Sequence, residues 1–205
     1  MEFFDIHTHT PTRMHCIYDS GGLYTPDKTI SVGIHPWHVT QEWEEAFATI
    51  EAIAAERNVA AIGECGIDKL RGVAGTEIQK EAFLAHAMLA EKVRKPLIIH
   101  CVKGFDEIIE THRLLSPSQA WIIHGFRGKP QQALQLTREG LYLSLGEHFN
   151  PMSAMAIPLD RLFIESDESR HPISEIYAAI AAAKGVPIAQ LARQIEENAK
   201  IFRQF

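Results

Sequence analysis

The chain has 205 residues, 46% of them hydrophobic and 22% charged, which is typical of a globular protein and excludes a disordered or collagen-like chain. Its 20 Lys and Arg residues against 26 Asp and Glu give a net charge of −6, so a broad basic surface for nucleic acid is absent. Bound divalent cations can still supply positive charge where a phosphate docks. The three cysteines lack a CxxC spacing, no apolar run approaches about 18 residues, and the first residues lack a basic segment, so we expect neither a membrane span nor a signal peptide. We therefore expect a cytoplasmic protein without a membrane segment.

Short apolar segments recur along the chain and predict strands that are buried on both faces of a parallel sheet. They cover residues 3–6, 29–34, 59–62, 96–99, 120–123, 140–145 and 161–164. Helix-period stretches lie between them; for example, Trp43, Phe47, Ile50 and Ala54 lie on one helical face. This alternation predicts a single α/β domain over residues 1–205 with a TIM-like barrel, and an open doubly wound sheet is the alternative.

The segment between Thr10 and Lys28 breaks this alternation. Residues 14–18 could supply an eighth strand, but they begin only a few residues beyond His9. A parallel crossover needs about a dozen residues or more, so these residues cannot be an ordinary βαβ neighbour of the first strand. We predict a distorted or incomplete corner of the barrel between the first strand and Thr29.

Polar residues that can bind metal follow the apolar segments, where each strand would end. In a parallel barrel all strand C-termini open on one face, which is where active sites are built. The sequence therefore predicts that residues from distant parts of the chain meet at one mouth of the barrel. They are His7, His9, His35, Glu64, His100, His124 and Asp167.

The number and spacing of these residues favour metal binding over their ordinary roles. His7 and His9 are two residues apart, so in an extended strand they point to the same side and can bind one cation. Taken singly, each histidine could be a hydrogen-bonded core residue, and Asp167 could cap a helix. Without His35, the set still holds four imidazoles and two carboxylates, which exceed the needs of one zinc ion. They favour two divalent cations, Zn, Mn or Mg, bridged by Glu64 and a water.

A series of motifs occurs in a fixed order from residue 3 to residue 202. They are Asp5-x-His7-x-His9, Gly33-x-His35-Pro36, Gly63-Glu64-x-Gly66-x-Asp68, Gln79-x-x-x-Phe83, Pro96-Leu-Ile-Ile-His100, His124-Gly-Phe126-x-Gly128, Glu165-Ser-Asp167 and Asn198-Ala199-Lys200-x-Phe202. This ordered set resembles the TatD family of metal-dependent hydrolases. The resemblance implies a TIM barrel and deoxyribonuclease activity, with a phosphodiester such as DNA as the substrate and no protein partner inferred. It also implies that one ion lies among His7, His9, Glu64 and Asp167, and the other among Glu64, His100 and His124.

The chain departs from this family pattern around the substrate. It is shorter than is usual, and the loss falls largely after His9. The family commonly has His-x-Arg after the fourth apolar segment, but here the residues are His100-Cys101-Val102, so a phosphate-binding arginine is missing. The stretch that follows Asp167 is also contracted. The ligand set is therefore intact, while the rim that would contact the substrate is altered.

The expected chemistry is hydrolysis by a water that two metal ions activate, with Asp167 and Glu64 as the catalytic residues. Asp167 would accept the proton of that water as general base. Residues expected to contact the substrate or to orient a ligand are His35, Asp5, Lys103 and Arg127. For the two basic residues, solvated loop charge is the alternative interpretation.

Two other enzyme classes and one binding class compete with this interpretation. A phosphatase-type phosphoesterase can also open with Asp-x-His-x-His, but a late Asp-x-His pair is expected there, and Asp167 is followed by Glu168 and Ser169. An amidohydrolase or lactonase would act on C–N or C–O bonds in the same barrel. A barrel retained only as a scaffold has no need of six intact ligand positions.

Overall fold

The computed structural model describes residues 2–202, in which strands and helices alternate along the chain. The strands are β1 (Asp5–Thr8), β2 (Cys16–Asp19), β3 (Ile30–Val32), β4 (Val59–Asp68), β5 (Leu97–Val102), β6 (Trp121–Ile123), β7 (Tyr142–Leu145) and β8 (Leu162–Ile164). The helices are α1 (Trp43–Ile53), α2 (Thr76–Val93), α3 (Phe105–Leu115), α4 (Pro130–Arg138), α5 (Pro151–Ala156), α6 (Ile173–Lys184) and α7 (Ile188–Asn198). Each predicted apolar segment overlaps one of these strands, and β2 is the additional one. The chain divides into two compact units: the first unit comprises residues 2–18 and 122–202, and the second unit residues 19–121.

In the first unit, a short bridge fixes the end of β1 beside the end of β8. β7 pairs in parallel with β6 and β8, and β1 pairs in parallel with β2. Thr8 forms an isolated parallel bridge with Asp167, which follows β8. The Asp167 amide donates to the carbonyl of His7 over 3.0 Å, and the His9 amide donates to the carbonyl of Asp167 over 3.2 Å. These backbone bonds bring together residues from the two ends of the sequence.

In the second unit, β4 is the central strand and pairs in parallel with β3 and β5. All ten residues of β4 are buried. Gly66 pairs with His100 of β5, and its φ is +145°. A Cβ atom at Gly66 would lie 2.0 Å from the carbonyl oxygen of His100, so only glycine fits here. The apolar segment alone had suggested that the strand ends before Glu64. The strand continues to Asp68, so Glu64 lies inside β4.

Helices complete the core of the first unit with specific polar contacts. Tyr177 of α6 is fully buried, and its hydroxyl donates to the carbonyl of Phe4 over 2.7 Å. Asn198 at the end of α7 donates to the carbonyls of Leu159 and Leu162, both over 2.8 Å, and so fixes this helix to the start of β8. Over residues 2–202, the structure contains no helix with the length and apolar character needed to cross a lipid bilayer.

The predicted irregular corner is present between β1 and β3. The described residues between β1 and β2 form no helix, and His15, with φ 55°, directly precedes β2. Residues 14–18 do contribute the eighth strand, and it is a parallel neighbour of β1 with an irregular register. The connection from the end of β1 to the start of β2 must run back along the length of one strand, which is roughly 13 Å for four residues. Its seven residues can span about 23 Å, so no crossover helix is needed.

Candidate metal centres

The first unit gathers five metal-capable side chains at the ends of β1, β6 and β8. We call this group the first cluster; it contains His7, His9, His124, Glu165 and Asp167. The imidazole Nε2 atoms of His9 and His7 lie 3.5 and 3.9 Å from Asp167 Oδ1. The His7 and His124 ring centroids are 4.3 Å apart. Four of the six residues predicted as metal ligands therefore lie together in this unit.

Backbone contacts position the carboxylates of the first cluster. Asp167 has φ 52°, a left-handed conformation that is uncommon for residues other than glycine and is favoured only for Asn and Asp. The bridge to Thr8 maintains it, and the helix-cap alternative does not hold, because α6 is preceded by Pro172 at its N-cap. Glu165 is held in turn by the Gly125 amide, which donates to Oε1 over 2.6 Å.

Charge in this cluster follows from burial and from neighbouring imidazoles. Burial alone would raise the pKa of Glu165, but His124 and His7 lower it below its usual range, so the carboxylate is charged. Asp5 differs, since burial raises its pKa to about 6 despite hydrogen bonds from Ser166. The Ser166 amide donates to Asp5 Oδ1 over 2.9 Å, so Asp5 fixes the backbone directly before Asp167.

The second unit holds a compact group around Glu64, which we call the second cluster: His35, Glu64 and His100. The carboxylate Oε1 of Glu64 lies 2.7 Å from His100 Nδ1 and 3.1 Å from His35 Nε2. Glu64 is 2% exposed, and a carboxylate is buried at low cost only where partners such as these imidazoles contact it. His35 was predicted to orient the substrate or to support a ligand, and the structure places it beside Glu64 itself.

Several groups orient the imidazoles of the second cluster. His35 Nδ1 accepts the Trp37 amide over 3.1 Å, which leaves Nε2 directed at Glu64. Asp68 Oδ2 lies 3.2 Å from His100 Nε2 and accepts the Trp37 indole N–H over 2.6 Å. Burial raises the pKa of Asp68, but hydrogen bonds from Trp37 and from backbone amides lower it below its usual range. Asp68 is therefore a charged partner of His100.

The two predicted phosphate-binding residues lie on the surface near strand ends. Lys103 directly follows β5 and has φ 60°, and Arg127 lies between β6 and α4. Both side chains are exposed. Their role in substrate binding stays a prediction, as does the assignment of Glu64 to both ions.

The donor sets fit divalent cations. In each cluster, one potential ligand atom from each of three residues lies within 4.8 Å of the others: His124, Glu165 and Asp167 in the first, and His35, Glu64 and His100 in the second. Imidazole nitrogen and carboxylate oxygen are the donors that Zn, Mn and related ions take in proteins. His7 and His9 add further imidazoles beside Asp167.

Two acidic residues of these sites were not assigned a role from the sequence. Glu165 completes the first cluster, and Asp68 contacts His100 in the second. The available signal was their position in the motifs Glu165-Ser-Asp167 and Gly63-Glu64-x-Gly66-x-Asp68. Whether such a side chain turns toward the site depends on strand register, which spacing alone does not give.

Parallel strands alternating with helices, with imidazole and carboxylate clusters at the strand ends, are typical of metal-dependent hydrolases. The family model described as TatD related DNase matches residues 6–203 of this chain. The chain therefore belongs to the TatD-related DNase family, and the predicted class of enzyme, a metal-dependent hydrolase, is confirmed.

Individual relatives agree with this assignment. The 3'-5' ssDNA/RNA exonuclease TatD of Erwinia tasmaniensis is 29% identical over 147 residues, which cover 67% of this chain and 56% of that protein. The uncharacterized metal-dependent hydrolase YabD of Bacillus subtilis is 29% identical over 195 residues, which cover 84% of this chain and 76% of that protein. The chain thus spans little more than half of the Erwinia protein's length.

A solved structure extends the likeness to the whole fold. The crystal structure of YJJV, a TatD homolog from Escherichia coli K12, is matched over 98% of this chain and 97% of that chain, with a TM-score of 0.80 at 18% identity. This likeness confirms the predicted α/β class and TIM-like barrel.

Proposed function

We propose that this chain is a divalent-metal-dependent phosphodiesterase that hydrolyses single-stranded nucleic acid. The observation that carries the proposal is the presence of two imidazole–carboxylate clusters, each with ligand atoms close enough to hold one cation. A relative that matches 67% of this chain is named as an exonuclease of single-stranded DNA and RNA, which supports nucleic acid as the substrate class. Two divalent ions, Zn, Mn or Mg, are the proposed cofactors.

Cations held by the two clusters would supply Lewis acidity toward a phosphoryl oxygen and would lower the pKa of water toward about 7. His7, His9, His124, Glu165 and Asp167 would hold one of them. His35, Glu64 and His100 would hold the other; the family resemblance differs in assigning Glu64 also to the first ion and His124 to the second.

Asp167 is the proposed general base. Its side chain is 26% exposed, whereas the side chain of Glu165 is 0% exposed and that of Glu64 is 2%. Only Asp167 among these carboxylates therefore reaches the space that a water and a substrate would occupy. The bridge to Thr8 fixes its left-handed backbone and places the carboxylate beside His9. In the proposed role, this carboxylate accepts a proton from the attacking water.

The buried carboxylates have a different proposed role. Glu64 and Glu165 lie buried beside imidazoles, so they are suited to hold cations and to limit the net positive charge of the site. Lys103 and Arg127 are the proposed contacts for phosphate. We also propose the cytoplasm as the location, since Cys16, Cys65 and Cys101 are all free thiols.

The test pairs metal content with one substitution and a matched control. The purified chain should bind about two equivalents of divalent metal by elemental analysis and should cleave bis-p-nitrophenyl phosphate. Asp167→Asn keeps the left-handed backbone accessible and should lower kcat by about 10²-fold to 10⁴-fold. Asp160→Asn, an exposed change at the opposite end of β8, should leave kcat unchanged.

Two outcomes would contradict the proposal. A metal content near zero in the presence of added Zn, Mn and Mg would remove the catalytic role of the clusters. Equal turnover by Asp167→Asn and Asp160→Asn would exclude Asp167 as the base. Testing phosphomonoesters and lactones beside the diester separates this proposal from the phosphatase and amidohydrolase alternatives.

A further inference from the structure

An aromatic ring and a guanidinium group stack beside the second cluster. The Cζ atom of Arg71 lies 5.0 Å from the ring centroid of Trp37, within the range of a cation–π contact. The same indole lies 4.7 Å from the His35 ring and 6.0 Å from the His100 ring, measured between centroids. This stacked pair, which we call the Trp37–Arg71 platform, therefore adjoins the residues proposed to hold a cation.

The platform is held in place by polar groups beneath it. Asp68 accepts the Trp37 indole N–H through Oδ2 and the Arg71 amide through Oδ1, over 2.6 and 2.9 Å. Gln79, which is 1% exposed, accepts the Asp68 amide over 2.8 Å and donates to the carbonyl of Ala74 over 2.8 Å. Both ends of the loop that carries Arg71 are thus tied to Gln79 of α2, which limits the movement of the loop.

The outer side of this loop is exposed and apolar, although it lies beside a polar site. Leu70 is 70% exposed and Val73 is 78% exposed. Among the described residues, Arg71 forms no ion pair with a carboxylate, so its charge is not neutralised within the chain. Unpaired nucleobases stack on aromatic rings and on the guanidinium plane of arginine, and their phosphates are attracted by positive charge.

We propose that the Trp37–Arg71 platform is the subsite that stacks one nucleobase of a single-stranded nucleic acid next to the scissile phosphodiester. This inference rests on the proposed phosphodiesterase function and adds the part of the substrate that is recognised. The guanidinium plane of Arg71 contacts the nucleobase. Trp37 packs against this plane and keeps it beside His35 and His100. The platform supplies a substrate contact on a rim that lacks arginine after His100.

The first test measures binding without turnover. Tryptophan fluorescence of the metal-loaded Asp167→Asn chain, titrated with a short single-stranded DNA, should show saturable quenching that a further Trp37→Phe change largely removes. Arg71→Ala should weaken Kd about tenfold, and Arg71→Lys should recover little of this, because lysine has the charge but no plane. Arg57→Ala, an exposed charge removed before β4 begins, is the matched control and should leave Kd unchanged.

The outcomes of this binding test are decisive in both directions. An absence of quenching, quenching that Trp37→Phe retains, or Arg71→Lys binding as well as the unmodified chain would each overturn the platform. Equal loss in Arg71→Ala and Arg57→Ala would also overturn it, since it would show an effect of net charge only.

The second test uses the reaction itself. The substrate for this test is a single-stranded DNA that lacks the nucleobase beside the cleaved bond. With metal present, this loss should lower kcat/KM of the unmodified chain about tenfold, whereas kcat/KM of Arg71→Ala should change little. If the unmodified chain cleaves both substrates with the same kcat/KM, the platform is overturned and the proposed function is unaffected. Failure to cleave bis-p-nitrophenyl phosphate would instead contradict the proposed function, and the fluorescence titration would still decide the platform.

Discussion

Replacing Gly66 by Ala tests the close approach of β4 and β5 that brings Glu64 to His100. The Cβ atom added by Gly66→Ala would lie 2.0 Å from the carbonyl oxygen of His100. That oxygen belongs to the backbone of a buried strand and cannot move aside as a flexible side chain would. The strands must separate there, at the point where Glu64 and His100 meet.

The expected magnitude has two parts. An alanine forced to adopt the φ of +145° at Gly66 costs on the order of 1–3 kcal/mol. Steric overlap in a packed core adds about 1–3 kcal/mol. The free energy of unfolding should therefore fall by about 2–6 kcal/mol, a large share of the roughly 5–15 kcal/mol that stabilises a typical domain.

Gly185 provides a control that separates these two parts. It follows α6 with φ +67°, but an added Cβ would meet no atom within 4 Å. Gly185→Ala should therefore cost only about 1–2 kcal/mol. Urea unfolding followed by near-ultraviolet circular dichroism measures both variants. A loss for Gly66→Ala no larger than that for Gly185→Ala would refute the close-approach argument.

Two further changes test polar contacts in the core. His86 is buried, with Nδ1 donating to Ala82 and Nε2 accepting the Ile34 amide, and burial lowers its pKa from 6.5 to about 4. Below pH 6.5 this imidazole binds a proton in the unfolded chain but not in the folded chain. The free energy of unfolding should therefore keep its full value above pH 6.5 and should be about 3 kcal/mol lower at pH 4. His86→Gln should flatten this dependence in urea titrations at several pH values, and an unchanged slope would contradict it. Asn198→Ala removes the side-chain donor that the carbonyls of Leu159 and Leu162 share, although Leu159 keeps the Leu162 amide, and should cost about 1–3 kcal/mol of unfolding free energy; a change below about 0.5 kcal/mol would show that these bonds contribute little.

The positions of most strands could be predicted from the sequence, because a strand that is buried on both faces consists of a continuous apolar segment. Residues 59–62 indicated β4, and residues 161–164 indicated β8. The end of β4 could not be predicted in the same way, because Gly63 to Asp68 are mostly not apolar and yet continue the ladder with β5. The pairing of β2 with β1 was missed for a related reason, since a seven-residue connection without a helix is outside the usual βαβ pattern.

Parts of the site were also accessible from the sequence. Spacing and strand order indicated His7, His9, His124 and Asp167, which the structure places together in the first unit. The contact of Trp37 with Arg71 could not be predicted, because it depends on how a loop returns over a neighbouring strand end. The organisation of residues 1–205 as one domain stays a prediction.

The bridge between Thr8 and Asp167 has a consequence for how the protein is made. These residues are 159 positions apart, and at 5–20 residues per second a ribosome needs about 8 to 30 s to add the second after the first. Strands β3 to β5 and all three residues of the second cluster leave the ribosome during that interval, whereas His7 and His9 wait for their partner. A nascent chain that stalls before β8 would therefore carry the second cluster complete and only part of the first.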